Sequence, residues 1–227
     1  MSSDTSDAVA QLVDHLVTTG RQNIGVLAGP QYAGTAHQRL EAIRGALARH
    51  GLDLPAERVW VGDYKRDSGR AQMRRMLDER TTPEALLVSN GRMALGVLDT
   101  LSHAPVKGSP MPGDLALAAI DDLDVFTLLR PSVTAIAQPT RELGRRPFGL
   151  LLDRIAGKPV ESVRIPCTLH LRASTEPVVA RPVGAGVVQR TSPGNRIELR
   201  SCRAPTGVVG RVESTRSPSV PVPKGGW

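Results

Sequence analysis

Between Asp114 and Asp122 the chain reads Asp-Leu-Ala-Leu-Ala-Ala-Ile-Asp-Asp, an apolar run from Leu115 to Ile120 closed by two carboxylates. A short apolar run without polar alternation predicts a strand buried on both faces, and such strands belong mostly to parallel sheets covered by helices on each side. In open sheets of that kind the ligand crevice lies beyond the carboxyl ends of the strands. Asp121 therefore stands at a site-like position.

The rest of the chain can be arranged around this strand. Val9, Leu12, Val13, Leu16 and Val17 form one helical stripe, with Gly20 placed to cap it. Ile24 to Gly29 reads as a strand, a helix runs from about Ala36 to His50 with Leu40, Ile43 and Leu47 inward, and Arg58 to Val61 is the next strand. Ser68 is placed to cap a helix burying Met73, Met76 and Leu77, and Pro83 precedes a strand over Ala85 to Val88. A fourth helix spans Arg92 to Leu101 with Leu95, Leu98 and Leu101 inward. Beyond Asp122 a helical turn carries Val125, Phe126, Leu128 and Leu129, followed by a strand over Val133 to Ala137 and a helix from Thr140 to Ala156. Pro147 should kink that helix or open it, since proline removes a backbone bond inside a helix. Val163 to Leu171 reads as a single last strand. Strands and helices alternating at this spacing predict right-handed crossovers and an α/β fold with an open, mostly parallel, doubly wound sheet.

Charge divides the chain. From Glu176 to Trp227 eight basic residues face three acidic ones, so this stretch carries +5 of the formal +7, together with seven of the 18 prolines and seven of the 22 glycines. Low apolar content with so much proline and glycine predicts a folded region over 1–175 and a disordered basic tail over 176–227. The N-terminus is polar and acidic rather than signal-like, and no apolar run nears the roughly 18 residues that span a bilayer. A cytoplasmic protein without membrane contact is expected. Cys167 and Cys202 suggest neither a disulfide framework nor a metal site.

The ordered set Ile24-Gly-Val-Leu-Ala-Gly-Pro30, Arg39, Ser89-Asn-Gly-Arg-Met-Ala-Leu-Gly96, Ile120-Asp-Asp122, Pro131-Ser-Val-Thr134 with Gln138-Pro139, Leu150 to Gly157 and Leu171-Arg-Ala-Ser-Thr175 resembles the sensor region of LacI/GalR transcription regulators. That region looks like a periplasmic sugar-binding protein, and the resemblance runs from about residue 8 to 175. It implies a carboxyl-terminal lobe of the periplasmic-binding-protein type, nearly whole, without the helix-turn-helix, the hinge helix and most of the amino-terminal lobe. The segment from Gln138 to Gly157 belongs to the other lobe in that family. The implied origin is a truncated gene product or a family half encoded separately.

The resemblance also implies three ligand-binding residues, Arg39, Asn90 and Asp121, taking a sugar-like or nucleoside-like effector. Their chemistry suits polyols: a guanidinium donates in a planar fork, a carboxylate accepts and an amide does both. Each residue has a purely structural alternative: an ion pair of Arg39 with Asp121 or Asp122, Asn90 forming a turn, and Asp121 capping the turn after it. Gly91 stands where the family usually has aspartate, and Ala42 where it usually has glycine. Leu95, Leu98, Val125, Leu128 and Leu129 fall where the family's second lobes meet, implying a homodimer; plain core is the alternative.

Enzyme chemistry finds no support. The five histidines lack ligand spacing, and neither a Gly-x-Ser-x-Gly elbow nor a Gly-Lys-Ser/Thr phosphate loop occurs. The adjacent carboxylates Asp121 and Asp122 resemble a Mg²⁺ pair but have no phosphate loop beside them, so no cofactor or metal is expected. Without a DNA-reading helix, specific DNA binding by this chain alone is not expected. The basic tail, whose arginines lack aromatic partners, offers at most weak, salt-sensitive, nonspecific nucleic-acid contact.

Overall fold

Apolar residues at helical spacing and short buried runs assemble here into one sheet with helices on both faces. The structure, a computed structural model, describes residues 2–104 and 111–177. All but the first two positions of the basic 176–227 stretch lie outside the described residues. In chain order the elements are β1 (Ser2–Asp4), α1 (Ser6–Thr18), β2 (Ile24–Ala28), α2 (Gly34–Ala48), β3 (Val59–Val61), α3 (Arg66–Asp78), β4 (Ala85–Val88) and α4 (Gly91–His103). They continue as β5 (Ala116–Ile120), α5 (Val125–Leu128), β6 (Thr134–Ala137), α6 (Thr140–Ile155), β7 (Arg164–Pro166) and β8 (Thr168–His170).

Six strands form the main sheet in the order β3-β2-β4-β5-β6-β8, parallel except for β8, which runs antiparallel to β6. Side chains alternate across it with a period of two. Val26, Leu87, Ala118 and Ile120 pack toward α1 and α2, against Val9, Leu12, Leu16, Ile43 and Leu47. Leu27, Leu86, Val88, Leu117 and Ala119 point the other way, against Met73, Met76, Met93, Val97 and Phe126. Every residue of β5 is buried, as the unbroken apolar run predicts. The chain order reverses at β2, which lies between β3 and β4, and a doubly wound sheet opens its crevice at that switch point.

Several local expectations are corrected. The Val163–Leu171 strand is two strands: β7 pairs with β1 in a separate two-stranded parallel sheet, β8 joins the main sheet, and the Cys167 amide between them donates to the Asp4 carbonyl at 2.9 Å. Pairing partners far along the chain decided this break. Ser68 is not the cap of α3 but lies inside it, its hydroxyl accepting from the Asp63 amide at 3.1 Å and donating to the Lys65 carbonyl at 3.0 Å. Thr140 is the first residue of α6 and makes no cap, and Pro147 sits inside that helix rather than opening it. On α4 the face turned fully inward is Met93, Ala94, Val97 and Leu101, whereas Leu95 and Leu98 are only partly buried.

Helices α3 and α4 meet at backbone distance because two glycines let them. A β-carbon on Gly96 would stand 2.0 Å from the Arg66 carbonyl oxygen, and one on Gly69 2.1 Å from that of Met93. Those obstacles are backbone and cannot swing away. Gly96→Ala is therefore expected to lower unfolding stability by at least about 2 kcal/mol in urea titrations, the range of an overpacked core. Gly45→Ala, in α2 with nothing within 4 Å of the new methyl, should leave it unchanged or raise it by up to about 1 kcal/mol.

Candidate functional site

The turn between β4 and α4 is the spine to which the sequence-predicted residues attach. Arg39, on α2 and only 9% exposed, crosses to the end of β4 and donates from Nη1 to the Ser89 carbonyl at 2.7 Å. Asn90 is extended at φ −155° and caps α4: its Oδ1 accepts from the Met93 amide at 2.9 Å, and its Nδ2 donates to the Tyr64 carbonyl at 3.0 Å. Asp121, just past β5, accepts at Oδ2 from the Gly91 amide at 3.4 Å. Ser89, Asn90 and Gly91 thus gather all three side chains at the carboxyl edge of the sheet. Asn90 is thus a helix cap in extended backbone rather than the turn former expected as its structural alternative, and it uses one donor and one acceptor of an amide that has four hydrogen-bonding places. No ion pair joins Arg39 to either aspartate; Asp122 turns to Arg172 instead.

Asp121 holds a backbone conformation that L-residues rarely adopt, φ +78°. Its Oδ1 accepts from Gln138 Nε2, and Gln138 in turn accepts from the Ser3 hydroxyl at 2.8 Å. Gln138 follows β6 and Ser3 lies in β1, so the carboxylate ties the main sheet to the two-stranded one. Where the related family usually carries aspartate, a β-carbon on Gly91 would meet the Leu123 side chain at 2.8 Å. Leu123 has taken that space.

Two contributors were missed from sequence. Tyr64, past the end of β3, has φ +68°; its ring lies so close to Gly29 that a β-carbon there would stand 2.1 Å from Cζ, and its buried hydroxyl finds no partner among the described residues. Gln138 was noted only as part of a family pattern. The available signal was topological: both follow a sheet strand at its carboxyl end, as Asp121 does. Cys167 is half-buried near the same edge; burial raises its thiol above the ordinary range, while Arg39 pulls it down and Asp121 adds to the rise. Among the described residues no cluster of His, Cys, Asp or Glu is arranged to hold a metal, and no helix is long and apolar enough to cross a membrane.

Asp122 is the most strongly held carboxylate at this edge. Arg172 grips it with two nitrogens at 2.8 and 2.6 Å, and His170 Nδ1 lies 2.7 Å away. Burial pushes its carboxyl up, but the bonds from Arg172 and His170 outweigh that and hold it below the ordinary value, and the bond to Asp122 in turn raises Arg172. A carboxyl lowered on folding stabilises above its unfolded value and loses that contribution as pH falls through the folded one. The stability gap between the parent and Asp122→Asn, about 1.5–3 kcal/mol at pH 7 for hydrogen bonds to a charged group, should therefore narrow as pH falls below about 4. Urea midpoints of both proteins from pH 7 to 3 measure it.

Residues 13–175 match the family model described as periplasmic binding protein-like domain. The chain is 35% identical over 161 residues to the HTH-type transcriptional regulator CelR of Thermobifida fusca, covering 71% of this chain and 46% of that one. It is 34% identical over 174 residues to the HTH-type transcriptional repressor CytR of Escherichia coli K12, covering 76% and 50%. Among solved structures, a CelR–cellobiose complex superposes with TM-score 0.68 at 33% identity over 76% of this chain and 52% of the other. A lac repressor dimer bound to operator and the anti-inducer ONPF gives 0.68 at 30% identity over 76% and 51%. The chain spans about half the length of the curated relatives it matches. Those relatives are transcription regulators, not enzymes. With a matched domain, a mostly parallel doubly wound sheet and its ordered edge residues, the chain belongs to the LacI/GalR family, as part of its periplasmic-binding-protein-like sensor region.

Proposed function

We propose that this chain is the effector-binding lobe of a cytoplasmic LacI/GalR-type transcription regulator, taking a sugar-like or nucleoside-like molecule at Arg39, Asn90 and Asp121. The observation that carries the reading is the attachment of all three to Ser89–Gly91 at the sheet's switch point. Tyr64 adds an aromatic ring and a hydroxyl without a described partner, groups that suit the apolar face and the rim of a sugar. A solved relative holds cellobiose, and another relative is named a ribose operon repressor. In this proposal the lobe senses and pairs rather than reading an operator, which takes a recognition element placed in the groove.

The site is one-sided in this chain. Helix α6 buries none of its residues, and Phe148, Leu151, Leu152 and Ile155 lie exposed along it. A two-lobe clamp gains affinity by closing over its ligand and excluding water. One jaw leaves the contacts wet, and the loss of several kcal/mol turns micromolar affinity into roughly millimolar or weaker. Calorimetry and NMR titration with cellobiose, ribose and nucleosides are expected to find no dissociation constant tighter than about millimolar, with the residual binding lost in Asp121→Ala. Micromolar binding by the chain alone would contradict the one-sided reading.

Self-association is part of the same proposal. On α5 Leu128 is 75% exposed and Val125 is partly exposed, with Leu95, Leu98 and Leu129 half-buried beside the same core. Large aliphatic side chains grouped at a surface favour a partner, and a relative has been solved as a dimer. Leu128→Asp should shift sedimentation at tens of micromolar toward monomer; a parent already monomeric at that concentration would count against this interface.

A further inference from the structure

We infer that Asp122 is a positioning residue: clasped by Arg172 and His170, it holds Asp121 in the strained conformation that presents its carboxylate to the site. The inference rests on the reading of Asp121 as an effector contact. A non-glycine residue in the left-handed region persists where its surroundings over-determine it. For Asp121, at φ +78°, the surroundings act on both sides. Before it, the β5 ladder ends with the Asp121 amide donating to the Ile136 carbonyl at 3.0 Å. After it, both oxygens of Asp122 are engaged, Oδ1 by Arg172 Nη1 and Oδ2 by Arg172 Nη2 and His170 Nδ1.

The clasp is itself anchored. Arg172 Nη1 also donates to the Val133 carbonyl at 2.7 Å, and the Arg172 amide donates to the Thr134 hydroxyl at 2.8 Å. His170 lies on β8, in register with Ala135 of β6. The arginine therefore cannot follow Asp122 if the turn relaxes. The two side chains are only 16% and 15% exposed, and the fork is bidentate, which fixes direction as well as distance. An ordinary surface pair tolerates a swing of either partner; this one does not. With Asp122 held, the peptide between the two aspartates has its orientation set, and the Asp121 carboxylate is directed at the Gly91 amide and Gln138.

The test reads geometry and binding separately, on the whole chain labelled with ¹⁵N and ¹³C. In the parent, Asp121 should give the strong intraresidue amide–Hα NOE of a positive φ, and the Gln138 side-chain amide should be shifted from its free position. In Asp122→Asn and in Arg172→Lys, which keeps the charge but loses the fork, both signals should move toward averaged values while the remaining spectrum stays folded. His170→Ala, which leaves the fork intact, gives a smaller change in the same direction and serves if the other variants fail to fold. Asp99→Asn breaks a different arginine pair, between α3 and α4, and controls for lost stability; it should leave Asp121 and Gln138 unmoved. Cellobiose titrated by chemical shift should bind about tenfold more weakly to Asp122→Asn than to Asp99→Asn, the equivalent of about 1.4 kcal/mol. Folded Asp122→Asn and Arg172→Lys with unchanged Asp121 and Gln138 signals would overturn the inference. If Asp121→Ala leaves the cellobiose shifts unaltered, the effector-contact reading falls on its own, and the NOE still decides the positioning.

Discussion

Hydrogen bonding along both edges of β5 is the constraint on which the rest of this lobe depends. Its five residues are buried on each face and laddered to β4 on one side and β6 on the other, so its carboxyl end has no freedom to shift along the sheet. Parallel ladders need both faces covered, and the chain supplies α1 and α2 on one side and α3 and α4 on the other. Because each crossover begins at a strand's carboxyl end, Gly29, Tyr64, Ser89–Gly91 and Asp121 must all emerge at one edge. The candidate site follows from the winding of the sheet and not from any contiguous motif.

Around that edge the polar groups divide into those that hold the frame and those with capacity left over. Asp122 has both oxygens engaged by Arg172 and His170, and Ser174 closes the far end of the lobe by donating to the Leu117 carbonyl at 2.6 Å and accepting from the Thr134 amide. Arg39, Asn90 and Asp121 are each anchored by one or two bonds and keep others available. An anchored group with spare donors or acceptors loses little conformational entropy on meeting a ligand. Asp121 and Asp122 are adjacent in sequence, yet their side chains are held by different partners, Gln138 and the Gly91 amide for the first and Arg172 and His170 for the second.

Close packing sets a second limit. Glycines 69 and 96 bring α3 and α4 together at backbone distance, and Gly91 leaves its side-chain space to Leu123. The departure from the family's usual aspartate at 91 is thus filled by an apolar group, which makes the edge less acidic and leaves Asp121 as the carboxylate bonded to the β4–α4 turn. By contrast, the exposed Phe148, Leu151, Leu152 and Ile155 of α6 have no sheet beneath them. The sheet is well packed where α1 to α4 cover it, whereas the apolar side chains of α6 are left exposed.

The sequence by itself determined the strands and helices whose pattern is local. The apolar run of β5, the stripe of α1 and the buried side of α2 are legible because burial in a sheet or on a helix face repeats with a period the chain carries in every few residues. It also placed Asp121 at the end of a buried strand, whereas Arg39, inside α2, and Asn90 were singled out only through the resemblance to a known family. What only the tertiary structure decided are the pairings between distant segments. One uniform-looking strand over Val163 to Leu171 was split because β1 offered one half a partner and β6 the other. Ser68 and Thr140 were suitable capping residues at positions where the backbone started its helices elsewhere. Leu95 and Leu98 fit the inward stripe by spacing, yet they are only partly buried at the margin of the core that Met93, Ala94 and Val97 fill. The Asp122 clasp and the positive φ of Asp121 and Tyr64 carry no local signature, since each is imposed by partners dozens of residues away, and periodicity records burial but not the identity of the neighbour.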